Sequence, residues 1–373
     1  MCVLRAESTK LRGAGPVLRS AAPPRPGAQK GMAGVAYAFA SRRLSGTDAC
    51  VLSGPGGACE VLPGIGSQLA SLRLTPGAGE PLEVLWAPPA DQLRQAGWGG
   101  GAPILFPFPG RVAGGQYGYR GVQHRIRSSH GRHPLHGFVG LAPWQLDDGG
   151  ADGSGAWVRT AVEHHDLAVP AQAFPGDYRL EVTHRIGPAG YRQEICVTNT
   201  GTAPFPFGYG WHPYFRTPLT AAGQRAQCTL RLAAAARWEL TADLLPTGRR
   251  LEVAGSYDLR QPSALADKSF DDPFTLLTPE ADGWSRAELG DPAAGLVLSV
   301  RADPSFPHWV VYGPRALGAT CLEPYTCAPD AYNLEARGIA AGLRELQPGE
   351  RWRGALEVQL ALRSERPALP TGR

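Results

Sequence analysis

Two histidines and one glutamate, each in a short segment of unusual composition, are the residues of this chain best suited to moving protons. They lie in LHGF at residues 135–138, GYGWHPYF at 208–215 and CLEPYTCAPDAYN at 321–333. An imidazole titrates near pH 6.5 and gives or takes a proton near neutrality, and a carboxylate raised by partial desolvation can act as its partner base. His136 precedes Gly137, whose backbone freedom lets the imidazole point into a cleft instead of across a sheet. His212 stands between Trp211 and Pro213 in a run of aromatics, a pattern that suits a strand with one face in a core and the other offered as a platform to the apolar face of a sugar or other ring. Glu323 precedes Pro324, which holds it extended, and lies beside Tyr325.

Two further residues complete a candidate site. Arg111 follows Pro109-Gly110 in the glycine-rich stretch 99–112, where a planar, multi-donor head at a loop mouth would grip oxygens. Asp271, in SFDDPF, is placed on a turn and suited to accepting hydrogen bonds from hydroxyls. Taken singly, each has a plainer reading: a surface arginine closing a strand, a structural histidine, a core aromatic stripe, a solvated loop glutamate. Their combination carries the argument.

These groups must be held by β-structure. With 48 Gly and 35 Pro in 373 residues, turns outnumber long helices, and the 43% apolar, 19% charged composition is that of a globular chain. Short alternating runs recur, among them YRLEVTHRI at 178–186, RQEICVTNT at 192–200, HWVVYG at 308–313 and GALEVQLAL at 354–362. In the first, Leu180, Val182 and Ile186 set off from polar neighbours mark a half-buried sheet face. Helix candidates are few: the stretch around Leu93 is cut at Gly97, and the alanines of 233–237 are too few to nucleate alone. The Gly/Asp run at 149–155 reads as an exposed loop, and no repeat of 20–50 residues suggests a propeller or solenoid. One large antiparallel sandwich over residues 46–365 follows, between a loose tail at 1–45 and another at 366–373.

The net charge of +4 with scattered Lys and Arg gives no nucleic-acid footprint, and no apolar run is long enough to span a bilayer. The expected partner is a small molecule; whether the chain is a monomer or a homodimer stays open. Seven cysteines without CxxC or zinc spacing read as reduced thiols of a cytoplasmic protein. The basic, proline-containing first 45 residues read as an inert tail or a mis-assigned start at Met1 ahead of Met32, with organelle targeting the other option. No HExxH or P-loop is present, so neither a metal nor a cofactor is called for.

In this order, ILFPFPGR with Arg111, HGF with His136, HPYF with His212, FDDPF with Asp271 and LEPYTCAPDAYN with Glu323 resemble the aldose 1-epimerase (galactose mutarotase-like) family. The resemblance covers roughly residues 47–362. It implies an all-β supersandwich and a cofactor-independent interconversion of the α and β anomers of an aldose. By the same resemblance Glu323 is the base at the C1 hydroxyl, His212 the acid at the ring oxygen and His136 its helper. Arg111, Asp271, Trp211 and Tyr325 would contact the substrate. Trp211 and Pro213 depart from the galactose-type HTYF segment, and Val139-Gly140-Leu141 after HGF lacks the arginine of hexose-6-phosphate epimerases. Arg111, Arg120, Arg125, Arg127 and Arg132 nonetheless leave an anion site open, and with it a phosphorylated or sulfonated hexose. A carbohydrate-binding module without catalysis and a glycoside hydrolase with paired carboxylates are the readings from other classes.

Overall fold

The computed structural model describes residues 36–128 and 131–363. The expected tails, apart from residues 36–45, and any targeting segment lie outside them. Two large antiparallel sheets carry most of the chain. The nine-stranded sheet runs in the order Ser263–Ala264, Thr229–Leu232, Ser285–Asp291, Leu296–Ala302, Arg351–Leu362, Gly190–Asn199, Tyr178–Gly187, Gly155–Glu163 and Gln145–Asp152. The other runs Pro246–Glu252, Ala234–Leu240, Phe270–Leu277, His308–Gly313, Ala319–Tyr325, Gly210–Trp211 and Ile104–Leu105, with Tyr214–Arg216 also pairing to Ala319–Tyr325.

Strand Tyr178–Gly187 alternates buried and half-buried residues along its whole length, as the spacing of Leu180, Val182 and Ile186 predicts. The inner faces of the two sheets meet in one core. Tyr191 stacks on Trp211 across the interface, with ring centroids 5.8 Å apart, and the Trp309 indole donates to Ser285 Oγ at 2.9 Å. Buried rings thus find both apolar area and a partner for their polar atom.

Two sequence expectations are corrected and two elements are added. The folded body begins before residue 46: Ala38–Leu44 pairs antiparallel with Thr47–Gly54 through a turn in which Ser45 and Gly46 both have positive φ. This edge strand is almost entirely exposed, so its sequence shows no apolar alternation. Residues 149–155 are a hairpin rather than a loose loop, and Gly149 is side-chain-free where the Phe39 ring packs. The alanines at 234–236, too few for a helix alone, lie in the Ala234–Leu240 strand, which has sheet neighbours on both sides. A helix the sequence reading leaves out, Ala331–Ala336, follows Asp330, whose φ is 56°. Around Leu93 the expected short helix, Leu93–Ala96, is present and ends at Gly97.

Candidate active site

Strand register builds one wall of the site. Gly210 pairs with Tyr325 and Tyr214 with Cys321, so His212 falls directly opposite Glu323 although Pro213 breaks its strand. Val310 pairs with Glu323 on the other side and Pro273 with Val310, which makes one row across the sheet. The adjacent row is Asp271, Tyr312, Cys321 and Tyr214. Because side chains alternate, both rows share one face. That face floors a cavity of about 360 Å³, within the ~300–1,000 Å³ usual for small-molecule sites.

Loops close the cavity. Gly110 has φ 74°, and a Cβ there would meet Pro329 at 2.7 Å, so the chain turns tightly just before Arg111. Arg111 forms an antiparallel bridge with Leu135. The Gly110 N–H donates to His136 Nδ1 at 3.1 Å, and the His136 N–H donates back to the Gly110 carbonyl at 2.9 Å. With Nδ1 accepting, the proton of the neutral imidazole sits on Nε2, which makes that nitrogen a donor. His136 itself has φ 65°, and Gly137 lies so close to the Phe106 carbonyl that a Cβ would sit 1.9 Å from it. The glycine after the histidine is thus required by close approach as well as by its φ of 79°. Asp330 clamps the same loop: its Oδ1 accepts from the Ala113 N–H at 2.9 Å and from Asn333 Nδ2 at 2.7 Å, while its own N–H donates to the Arg111 carbonyl at 2.8 Å.

The titratable groups facing the cavity are buried. His212 Nδ1 faces Glu323 Oε1 at 3.4 Å with no hydrogen bond of its own, and the Tyr325 hydroxyl donates to Glu323 Oε2 at 2.8 Å. Tyr214 stacks on the His212 ring at 4.7 Å, and the rings of His136 and His212 meet edge-on at 5.4 Å. Burial pushes His212 down to about 3 and holds His136 well below its ordinary value, the latter aided by the repulsion that two charged imidazoles would meet and by the positive charge of Arg111. Burial raises Glu323 well above the carboxylate range; the Tyr325 hydroxyl works against that rise and the Asp271 charge adds to it. Asp271 is also raised by burial, with Arg111 opposing.

Of the residues expected at the site, Arg111, His136, His212, Asp271, Glu323 and Tyr325 all line the cavity. Asp271 does so from the Phe270–Leu277 strand rather than from a turn, and Glu323 from within the extended strand Ala319–Tyr325. Trp211 does not line it. It is fully buried against Tyr191 and Phe215 on the opposite face, where the two-residue period puts it once His212 faces the cavity. The expected arginine cluster is dispersed: of its five members only Arg111 lines the cavity, while Arg120 pairs with Glu345 at 2.8 Å and Arg132 with Asp243 at 3.3 Å. Sequence reading missed Trp98, Tyr214 and Tyr312, all cavity-lining. Tyr214 was legible, since it stands two residues after His212 and must share its face. Trp98, an aromatic set among glycines, contacts His136 edge-on at 5.1 Å. Tyr312 carried no signal before its pairing with Cys321 and Asp271 was known.

The six described cysteines are unbridged thiols. No helix among the described residues is long and apolar enough to cross a membrane.

Residues 48–359 match the sequence model of the aldose 1-epimerase family. Among curated relatives, the Escherichia coli K12 protein YphB, described as uncharacterized, is 25% identical over 260 residues, covering 66% of this chain and 79% of that protein. The plasmid protein LacX of Lactococcus lactis is 26% identical over 271 residues, 70% of this chain and 82% of that one. Among solved structures, a galactose mutarotase-like protein from Clostridium acetobutylicum superposes with a TM-score of 0.78 at 17% identity, covering 87% of this chain and 98% of its own. A galactose 1-epimerase from Lactobacillus acidophilus gives 0.66 at 19% identity, with 87% and 98% covered. These structures share the supersandwich fold.

Proposed function

The chain belongs to the aldose 1-epimerase family, and from that premise we propose that it interconverts the α and β anomers of a free aldose by acid–base ring opening. The observation that carries this reading is the facing of His212 Nδ1 and Glu323 Oε1 at 3.4 Å inside one sugar-sized cavity.

The pair holds one proton between its members. In the charged arrangement the Glu323 carboxylate takes the proton of the C1 hydroxyl; the C1–O bond gains double-bond character, the C1–ring-oxygen bond breaks, and the ring oxygen takes a proton from the His212 imidazolium. Rotation about C1–C2 and the reverse transfers then close the ring on the other face. Atoms and charge balance over the cycle, and no redox partner enters. Burial favours the neutral acid and neutral imidazole, which is the arrangement present while the ring is open. Tyr325 works against this bias by donating to the carboxylate, which favours the charged arrangement from which the cycle starts. The Nε2–H of His136 is a fixed donor for the ring oxygen, and Arg111 and Asp271 hold hydroxyls.

The dispersal of the arginines supports a free sugar over a phosphorylated or sulfonated one, since Arg111 shares the cavity with Asp271 and Glu323. Anomer exchange followed by polarimetry or NMR over a panel of aldoses, hexose 6-phosphates and a sulfonated hexose tests the reading. Acceleration of neutral aldoses is expected, and saturable binding without acceleration of any sugar overturns it in favour of a binding module.

A further inference from the structure

Cys321 has no part in the proton transfer, yet its sulfur belongs to the same cluster as the groups that do. The ligand atoms of His212, Cys321 and Glu323 all lie within 4.8 Å of one another, and all three residues are buried. Register explains why. Cys321 and Glu323 are two residues apart on one strand and share its cavity-side face, and His212 stands opposite Glu323 on the neighbouring segment.

We propose that these three side chains form a reversible site for a zinc-class divalent cation, and that such a cation inhibits the enzyme by competing with the sugar. The binding stands on the donor set alone; only the inhibition rests on the isomerase reading above. Nitrogen, sulfur and carboxylate oxygen are all zinc-ligand types, and three protein ligands leave a fourth position for another donor; His212 and Glu323 line the cavity, while Cys321 is fully buried beside them. Thiolate and imidazole favour this class over magnesium or calcium, which demand oxygen donors.

Distances set the strength. Metal–ligand bonds of about 2.0–2.3 Å place neighbouring donors of a tetrahedral ion roughly 3.3–3.7 Å apart. The His212–Glu323 edge, at 3.4 Å, already fits. Edges as long as 4.8 Å must contract by about 1 Å, so the site is weaker than a dedicated structural one. Tyr325 holds Glu323 Oε2 and leaves Oε1 facing His212. On binding, two protons leave to solvent, that of the Cys321 thiol and the one held by the Glu323–His212 pair, as the sulfur–metal, oxygen–metal and nitrogen–metal bonds form, with no change of oxidation state. The sugar needs the same Glu323 and His212, so the two ligands exclude each other.

Titration of the full chain with Co²⁺ under reducing conditions tests the binding. A one-to-one adduct with sulfur-to-cobalt charge-transfer absorption is expected, displaced by Zn²⁺ and absent in Cys321→Ser. In exchange assays Zn²⁺ should raise KM for the sugar without lowering kcat. Its half-inhibitory concentration should rise in Cys321→Ser by at least the ~10–100-fold that even outer-shell partners of a metal are worth. Each variant is referred to its own metal-free rate, with Cys321→Ala as a second replacement and circular dichroism as the check of folding. No thiolate band, a band that survives in Cys321→Ser, or unchanged Zn²⁺ potency overturns the proposal. If the chain exchanges no sugar, the isomerase reading falls while the cobalt spectrum still decides the metal site.

Discussion

Two buried histidines in this molecule meet the same desolvation and have opposite fates. His184 and His212 are both pushed down to about 3 by burial. His184 lies between the sheets with both nitrogens engaged: Nε2 with Ser67 Oγ at 3.0 Å and Nδ1 with the Tyr191 hydroxyl at 2.7 Å. The chain of contacts continues from Tyr191 through Gln193 to the Tyr209 hydroxyl, and from Ser67 to Thr160. At His212, by contrast, Nδ1 faces a carboxylate without a hydrogen bond, and Nε2 has only the Tyr214 hydroxyl at 3.5 Å. A fully satisfied imidazole rigidifies a core, whereas one left under-satisfied beside a cavity is available for chemistry.

The sharpest way to break this contrast is at the pair itself. Glu323→Gln and His212→Asn should each cost about 10²–10⁴-fold in the rate of anomer exchange, the range of general acid–base catalysis, with the thermal transition nearly unmoved. A near-normal rate in either variant removes the role assigned to it.

On the interior side, Trp211→Ala should cost about 3–5 kcal/mol in denaturant unfolding, since it empties a fully buried site between Tyr191 and Phe215. A loss of sugar affinity with unchanged stability would instead restore Trp211 to the substrate.

His184→Leu should destabilise by about 1–3 kcal/mol for each polar group it orphans, while exchange per folded molecule is retained. It should also change the pH dependence. A histidine whose folded pKa is depressed contributes stability present above its unfolded value near 6.5, and loses it as pH falls toward about 3, because the unfolded chain takes up the proton first. His136, His212 and His308 are shifted the same way, so the variant should flatten the loss of stability between pH 6.5 and 3 without abolishing it. An unchanged slope in unfolding curves across that window would contradict a neutral His184.

A smaller effect is expected at Tyr325→Phe. Loss of the donor to Glu323 should slow exchange about 10-fold, equivalent to one charge-assisted hydrogen bond of roughly 1.4 kcal/mol. The smallest is Arg120→Ala, which removes an exposed pair with Glu345: stability should stay nearly unmoved and no preference altered between glucose and glucose 6-phosphate. A lost preference for the phosphate would bring the arginine cluster back.

Much of the site was legible in sequence because its residues carry uncommon local chemistry. A histidine before glycine, a histidine amid aromatics and a glutamate before proline each break the pattern around them, and all three line the cavity. Trp211 was misplaced for the opposite reason: aromatic identity says nothing of face, and only the parity set by His212 does. The early start of the fold was hidden because Ala38–Leu44, an exposed edge strand, has no apolar face to declare.

The sequence by itself determined the β-rich class, the half-buried alternation of strands such as Tyr178–Gly187 and the six expected side chains that line the cavity. These are properties of residue type and short-range period, which need no partner to be read. Only the tertiary structure decided that His212 stands opposite Glu323, that Tyr312, Cys321 and Asp271 share one row with Tyr214, and that the arginines part company. Cross-strand register joins residues more than a hundred positions apart through backbone hydrogen bonds alike along every strand. Sequence fixes that register only through the packing of both faces at once.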